Sequence, residues 1–313
     1  MLVHLTAARL NTLEQFFKTT SESDLYGCYA WTQAVGAALL PILGDLEVSL
    51  RNALHRGLSQ YYGKTDSFEW MLKTQPNRSS PGGLTSWHKL NPHTYDDVLG
   101  AVEKIKKSKG KGCRVTVDDI VAKVAFGFWE AIVNGLKHKS HPKGMQARVL
   151  AVAFPSTPDL RNGVFGDPAL VDRIASLLYQ MRDVRNRIGH HDSLWKTAEF
   201  DAYGRRGFVP RRPRQTVTSM RLLADQIAWF AGWIDPRISL YIKATPHWRH
   251  LQWLLTRDAL FLYRENGGKA INYEKTMLRA PVYKAKQASK RKQNSHDKAL
   301  EIKRRRLLRG MFY

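Results

Sequence analysis

Apolar residues recur every three or four positions along most of the chain, which is the spacing of one buried face of an α-helix. No stretch alternates cleanly between apolar and polar residues over six positions, so β-strand signals are nearly absent. The spacing predicts helices over Ala7–Thr19, Leu25–Tyr61, Thr94–Lys107, Val117–Trp129, Gln146–Phe154, a segment from Pro168 towards Asp192, Val217–Ile234 and Trp248–Arg264. The predicted fold class is all-α, one domain of about seven to nine helices with inserted basic loops and a basic C-terminal tail.

The second predicted helix contains two residues that interrupt helices. Pro41 lacks a backbone N–H and Gly44 lacks a side chain, so a kink or two successive helices are expected there. Further along, Glu47, Arg51 and His55 are spaced four residues apart and share one face, beside a stripe of leucines. In an isolated helix this pattern is most simply a solvated salt bridge beside a core stripe.

The chain carries a large excess of positive charge. It contains 50 Lys and Arg against 27 Asp and Glu, a net charge of +23 and a pI near 10.1. Eleven basic and two acidic residues lie between Lys284 and Arg309, so the body is basic as well as the tail. This favours a polyanionic partner. Nucleic acid is favoured over anionic lipid because a Trp- and Phe-rich basic amphipathic helix is missing from the sequence.

Other features restrict the class of protein. Cys28 and Cys113 match no metal or redox spacing, and we interpret them as structural thiols in a reducing compartment. No apolar run approaches the roughly 20 residues needed to cross a bilayer, because the longest candidate, 34–46, is interrupted by glycine and proline. The first residues lack the basic and apolar blocks of a signal peptide. We therefore expect a cytoplasmic protein that does not associate with a membrane.

Two basic segments between helices are predicted to contact phosphates. Residues 106–112 are interpreted as a glycine-containing loop, which lacks the Gly-Lys-Ser/Thr ending of a nucleotide-binding P-loop. Residues 203–214 form a second basic loop. Together with the tail, these segments contain the candidate nucleic-acid-binding residues Lys106, Lys107, Lys109, Lys111, Arg205, Arg206, Arg211, Arg212, Lys290, Arg291, Lys292, Arg304, Arg305 and Arg306.

One predicted helix ends in an unusually polar stretch, Arg182–Asp192. A helix advances about 100° per residue, so Arg182, Asn186 and His190 share a face and Arg185 flanks it. Guanidinium groups bind phosphate oxygens, an amide positions them, and an imidazole transfers protons near neutral pH. The same residue types also occur where basic side chains only complement the negative pole of a helix dipole, and spacing alone does not separate these alternatives.

The grouping suits cleavage of RNA in particular. The neighbouring 2′-hydroxyl of RNA supplies the nucleophile, so a base and an anion clamp suffice without a metal ion. Metal-dependent nucleases need clustered carboxylates, and the sequence contains no acidic cluster with that spacing. His190 and His191 are adjacent, so on a helix their side chains point about 100° apart and are not expected to share a metal ion. No metal or other cofactor is expected.

The polar helix end resembles the motif of a known superfamily. Arg185-Asn186 followed by His190 resembles the Arg, four residues, His signature of HEPN ribonucleases. The sequence from Arg185 to Trp195 is similar to the C-terminal motif of one branch, the bacterial abortive-infection (Abi-like) proteins.

Two further blocks resemble the same branch in the same order. Residues 46–52 are similar to its N-terminal Glu, three residues, Arg block, and Phe126-Gly127-Phe128-Trp129 to its central aromatic block. These aromatic residues are expected in the core rather than as a base-stacking platform. The resemblance covers about residues 20–235, which leaves the last helix and the tail outside it.

The resemblance implies an HEPN-like helical bundle and a metal-independent endoribonuclease in which two motifs face each other. This chain has a single good motif, since residues 51–55 give an Arg and a His one position too close together. A single motif implies a homodimer with a C2 axis, and Gly189 permits close backbone approach beside the histidine. The implied catalytic residues are Arg185, Asn186 and His190, and the implied supporting residues are Glu47, Arg51, Arg182 and His191.

The resemblance also implies a role and partners. It implies phage defence or a toxin-like role, with RNA as the substrate and also as a bound structured non-coding RNA. The alternative is a non-cleaving RNA-binding scaffold. A DNA-binding regulator would require a helix-turn-helix with a groove-reading helix, and none is convincing in the sequence. The predicted Abi-like helical domain is residues 1–278, which extends beyond the blocks that carry the resemblance, and 279–313 is predicted as a basic tail that is RNA-contacting or disordered.

Overall fold

The computed structural model describes residues 4–61, 70–71, 92–110, 112, 114–139, 141–161, 163–192 and 194–269. This part of the chain contains eleven α-helices and no strand, only an isolated bridge between Phe200 and Arg206. The all-α prediction is confirmed, and the helices outnumber the expected seven to nine. In chain order they are α1 (Ala7–Phe17), α2 (Glu22–Tyr61), α3 (Pro92–Lys109), α4 (Val117–Lys123), α5 (Phe126–Gly135), α6 (Met145–Ala153), α7 (Pro168–Gly189), α8 (Pro213–Ile234), α9 (Pro236–Ala244), α10 (Pro246–Leu254) and α11 (Arg257–Glu265).

Helix α2 is continuous through Pro41, so the prediction of two successive helices is wrong. The proline removes one backbone donor, but burial on both sides holds the helix together. Leu39, Ile42 and Leu43 are all almost fully buried. By length and composition, α2 is also the one helix among the described residues that could cross a membrane. A core helix of a soluble protein has the same properties, and the expected absence of membrane association stays a prediction.

The expected basic loop at 106–112 is wrong for its first half, because Lys106, Lys107 and Lys109 lie in the last turn of α3. Cations at a helix C-terminus are stabilised by the helix dipole, so three lysines favour continuing the helix there. The turn comes at Gly110, whose φ of +90° is readily adopted by glycine. Lys111 lies outside the described residues.

Capping residues divide two of the predicted helices. Thr256 caps α11 by accepting a hydrogen bond from the backbone N–H of Ala259, so 248–264 forms two helices instead of one. The stretch 117–129 likewise contains α4 and the start of α5, because Val124 and Ala125 are extended. The periodicity gave no sign of these breaks, since the apolar spacing continues across them.

The chain divides into two compact units, with three boundaries inside α2, α7 and α8 and a fourth between α9 and α10. Unit 1 contains residues 1–41, 186–225 and 245–313, and unit 2 contains residues 42–185 and 226–244. The predicted domain boundary near residue 278 and the basic tail lie outside the described residues.

Unit 1 is held together by contacts between its N-terminal helices and its last two helices. The Trp31 indole N–H donates to the carbonyl oxygen of Leu254 at 2.9 Å. Arg264 donates to both carboxylate oxygens of Asp24, from Nε at 2.5 Å and from Nη2 at 2.7 Å. These hydrogen bonds lower the pKa of Asp24 and keep it charged.

Unit 2 contains a buried aromatic cluster that includes the predicted aromatic block. The ring of Trp70 lies 6.3 Å from that of Phe128 and 6.0 Å from that of Trp129. Trp70 donates its indole N–H to Nδ1 of His55 at 2.8 Å. His55 is therefore a buried acceptor, not part of a solvated face, and the aromatic block is core as predicted.

Candidate active site

The polar end of α7 is closed by a Schellman motif. The N–H of His190 still bonds to the carbonyl oxygen of Asn186 at 2.9 Å, so the helical hydrogen-bond pattern includes the histidine. Beyond it, His191 bonds back to Ile188 at 3.1 Å and Asp192 to Arg187 at 2.8 Å. His191 carries the positive φ of this motif, at +52°, where glycine is usual. The backbone around His190 is thus fixed by three hydrogen bonds.

The three predicted catalytic side chains are exposed at this helix end. Within the part of the chain that the structure describes, Arg185, Asn186 and His190 use their side chains in no hydrogen bond or ion pair. Their neighbours on α7 are engaged: Val184 is buried, and Arg187 lies 3.8 Å from the carboxylate of Asp192. A guanidinium, an amide and an imidazole are therefore presented to solvent by a rigid helix.

Arg182, which was predicted to share a helix face with Asn186 and His190, makes its contacts within unit 2. Its Nε lies 3.0 Å from Oε2 of Glu130 on α5, and its guanidinium lies 5.4 Å from the ring centre of Tyr179. Burial raises the pKa of Glu130, and the charge of Arg182 opposes that rise. Gly127 allows this packing, since a Cβ there would come within 3.2 Å of Arg182 Nη1. The aromatic block therefore anchors the motif helix, and a supporting role for Arg182 stays a prediction.

Unit 1 brings residues from α1 and α2 to the helix end that sequence spacing did not reveal. Arg9 Nη2 donates to the carbonyl oxygen of His190 at 3.5 Å. Nδ1 of His191 lies 2.7 Å from Oε1 of Gln33, so His191 donates from Nδ1 and Nε2 is left available. Helix α2 approaches the helix end at Gly36, where a Cβ would make an ordinary van der Waals contact with Ile188 at 3.6 Å. Arg9 thus places a second guanidinium against the backbone of His190.

The Glu47 and Arg51 pair is not formed in this chain. Among the described residues Glu47 makes no ion pair, and Arg51 Nη1 donates to the carbonyl oxygen of Ala122 at 3.5 Å. The resemblance implied that Glu47 orients either Arg51 or the motif helix; a contact with Arg51 is not seen, and the supporting roles of both residues stay predictions.

Gly189 is not required by the packing of a single chain. A Cβ at this position would meet nothing within 4 Å, and its backbone φ is not in the left-handed region. The helix surface beside His190 is open, as the expected approach of a second chain would need.

The second predicted basic segment forms an ordered loop in unit 1. Arg205 pairs with Asp201 at 2.8 Å and remains largely exposed. Arg206 takes part in the isolated bridge to Phe200, and Arg211 and Arg212 lie at the surface before α8.

The other predicted nucleic-acid-binding residues are on α3 or in the tail. Lys106 and Lys107 are exposed on the last turn of α3. Lys109 forms an ion pair with Asp119 at 2.6 Å, which lowers the pKa of Asp119 to about 2. The tail candidates, from Lys290 to Arg306, lie outside the described residues.

No group of three or more His, Cys, Asp or Glu side chains within the described ranges is arranged to hold a metal ion. The chemistry that this helix end offers is the binding of an anion by guanidinium groups and the transfer of a proton by an imidazole.

Fold and site together define an all-helical protein in which one long helix presents Arg, Asn and His at its C-terminal end. The family model described as "Abi-like protein" matches residues 5–196, which include this helix end. The chain belongs to the Abi-like family. No curated protein and no solved structure matches the chain.

Proposed function

We propose that this protein is a metal-independent endoribonuclease that acts in abortive infection. Membership of the Abi-like family points to abortive-infection defence. The observation that carries the enzymatic proposal is the exposed, unpaired state of the Arg185, Asn186 and His190 side chains on an otherwise engaged helix end. The spacing of Arg185 and His190 resembles that of HEPN ribonucleases, and we include membership of that superfamily in the proposal.

In the proposed reaction, the RNA provides its own nucleophile. One His190 imidazole accepts the proton of the 2′-hydroxyl as the 2′-oxygen attacks the adjacent phosphorus. The bond to the 5′-oxygen breaks, and a second imidazole donates a proton to that leaving oxygen. The products are a 2′,3′-cyclic phosphate and a free 5′-hydroxyl. The first imidazole ends protonated and the second ends neutral, so the step involves no net gain or loss of protons. Arg185 stabilises the charge that grows on the phosphoryl oxygens, and Asn186 positions them by hydrogen bonding.

Two imidazoles require two chains, so the proposed active site forms in a homodimer. The single motif of each chain would meet its copy across a C2 axis, which makes the interface self-complementary. Gly189 supports this arrangement because no atom of the described residues lies within 4 Å of the position that a Cβ would take there.

The test is the cleavage of RNA by the His190→Ala variant. A proton-transferring histidine contributes about 10²–10⁴-fold to a rate, so cleavage should fall by at least that lower factor while RNA binding persists. The matched control is His247→Ala, because His247 is also exposed and lies on α10, outside the motif. Products should carry a 2′,3′-cyclic phosphate, and wild-type cleavage should continue in EDTA. Loss of cleavage in EDTA would contradict the metal-free mechanism.

A non-cleaving RNA-binding scaffold is the second candidate, and the ordered arginine-rich loop of unit 1 favours it. In that case, purified wild-type protein would bind RNA without cutting it, and His190→Ala would change neither the bound RNA nor the defence phenotype. If the wild-type protein does cleave RNA, mixing it with inactive His190→Ala tests the composite site. Mixed dimers should lose activity, so cleavage per wild-type chain should fall as the variant is added.

A further inference from the structure

We propose that the loop from Glu199 to Arg212, which we call the Tyr203 loop, binds unpaired nucleobases of RNA by stacking them on Tyr203. The inference rests on the proposed function in one respect, that RNA is the partner. It goes further by giving unit 1 a binding site for single-stranded RNA and by assigning that site to an aromatic residue rather than to charge alone.

Exposed apolar side chains are concentrated in this loop. Tyr203 is 53% exposed, Phe208 37% and Val209 45%, although each has a large apolar surface that is normally buried. They are three of the eleven large apolar residues that are exposed in the described part of the chain, and they lie within seven residues of one another. Exposed aromatic residues grouped in this way mark interaction surfaces.

The partner of this surface is anionic and has flat, accessible π-faces. The guanidinium of Arg205 lies 5.2 Å from the ring centre of Tyr203, and the Arg205 side chain is 73% exposed. Arg206, Arg211 and Arg212 are exposed in the same loop. Bases stack on aromatic rings and on guanidinium planes, while further arginines bind the backbone phosphates. Duplex RNA hides its base faces, so unpaired RNA fits this chemistry better.

The loop holds Tyr203 in place before any ligand arrives. One carboxylate oxygen of Asp201 accepts hydrogen bonds from the backbone N–H groups of Tyr203 at 2.8 Å and Arg205 at 3.0 Å, and the other accepts from Arg205 Nε at 2.8 Å. The base of the loop is closed by Glu199, whose N–H bonds to the carbonyl oxygen of Phe208 at 2.8 Å. Gly204 has a φ of +76°, which the tight turn requires. A preformed loop orders few groups on binding, which favours affinity.

Buried residues fix the Tyr203 loop to unit 1. Glu199 is buried and accepts a hydrogen bond from the Ser219 hydroxyl on α8 at 2.6 Å, and Phe200 and Ala202 are buried as well. These three buried residues anchor the first segment of the loop. The loop is fixed to unit 1 from beneath, and its aromatic tip is presented at the surface.

The experiment measures binding of the His190→Ala protein to two probes, a short unstructured RNA strand that contains 2-aminopurine and the same strand annealed to its complement. Adding Tyr203→Ala should weaken single-strand binding by about 5- to 150-fold, the range for loss of one base–aromatic stack. Tyr203→Phe should restore most of it, and 2-aminopurine quenching should fall only in the alanine variant. The matched control is Tyr241→Ala, since Tyr241 is 62% exposed and lies on α9 outside the loop.

The outcomes separate this inference from the proposed function. If cleavage or RNA binding is normal but Tyr203→Ala behaves like Tyr241→Ala, the stacking site is wrong and the proposed function stands. If the protein binds neither probe and cleaves no RNA, both fail. Equal Tyr203 dependence for the duplex would overturn the specificity for unpaired bases. Binding to anionic lipid vesicles with the same Tyr203 dependence, in place of the single strand, would assign the loop to a membrane surface.

Discussion

Replacing Gly189 by alanine should move stability and activity in opposite directions. Gly189 is the last residue of α7, and its backbone is not in the left-handed region, so alanine can adopt the same conformation. The new Cβ would meet no atom within 4 Å in its own chain. Alanine is favoured over glycine in a helix by about 0.5–1 kcal/mol, partly because the unfolded chain loses freedom. A single chain should therefore gain up to about that amount of stability.

The expected loss of activity has a different origin. In the proposed dimer the backbone of the second chain lies close to Gly189. A methyl group at this position would then increase the distance between the two His190 residues. A displacement of about 1 Å in a catalytic constellation costs on the order of 10²-fold in rate. Cleavage should fall accordingly while the melting temperature of the single chain rises by roughly 1–4 °C, given about 2–4 °C per kcal/mol for domains of some 200 residues.

The assay pairs thermal unfolding with RNA cleavage, at two protein concentrations because dimer stability depends on concentration. Gly100→Ala is the matched control: Gly100 lies within α3, and a Cβ there also meets nothing within 4 Å. It should be stabilised similarly and cleave RNA normally. A Gly189→Ala protein that is more stable and fully active would refute close approach at this glycine. A clear loss of stability in monomeric protein would refute the helix-end geometry.

Two further predictions concern stability. Asp24→Ala leaves Arg264 without its partly buried partner and should cost roughly 2–3 kcal/mol in urea unfolding, below the 3–5 kcal/mol of a fully buried pair. Asp159→Ala, which removes an exposed pair with Arg161, should cost much less, and equal costs would contradict the difference in burial. Burial lowers the pKa of His141 to about 4, partly opposed by a hydrogen bond that the imidazole donates to the Gly135 backbone. The unfolded chain then takes up a proton that the folded chain resists, so stability present above about pH 6.5 is lost as the pH falls towards 4. His141→Gln should show a shallower loss over that range, and identical pH profiles would contradict this account.

Helix positions could be predicted from the sequence wherever burial sets the apolar spacing. The N-terminal end of α7 was predicted because its leucines and isoleucine recur on one face and Pro168 fits the first turn. The breaks before α5 and α11 were missed because they depend on local backbone conformation and on one threonine cap, which leave the apolar spacing unchanged. Helix α9 was missed for the same reason. It begins at Pro236, directly after Asp235, whose carboxylate accepts the Arg237 N–H, and it buries only Ile242.

In the candidate site, too, some residues could be predicted from local spacing and others depend on tertiary packing. Arg185, Asn186 and His190 could be predicted because a helix converts their spacing into neighbouring positions. Arg9 and Gln33 could not, because they reach the helix end only through the packing of unit 1, from positions 181 and 158 residues away in the chain. Residue types alone do not indicate such contacts.

On either side of His190, a different residue type would suit the backbone conformation better: glycine at position 191 and alanine at position 189. His191 takes the left-handed conformation at φ +52°, which costs an L-residue about 1–2 kcal/mol. Its hydrogen bond to Gln33 offsets about 0.5–1.5 kcal/mol of that. Gly189 occupies a helical position that alanine would stabilise. Glycine at 191 and alanine at 189 would end this helix at lower free energy. The proposed role of His190 therefore rests on its exposure and spacing, because Lys18 at the end of α1 has the same φ of +52°.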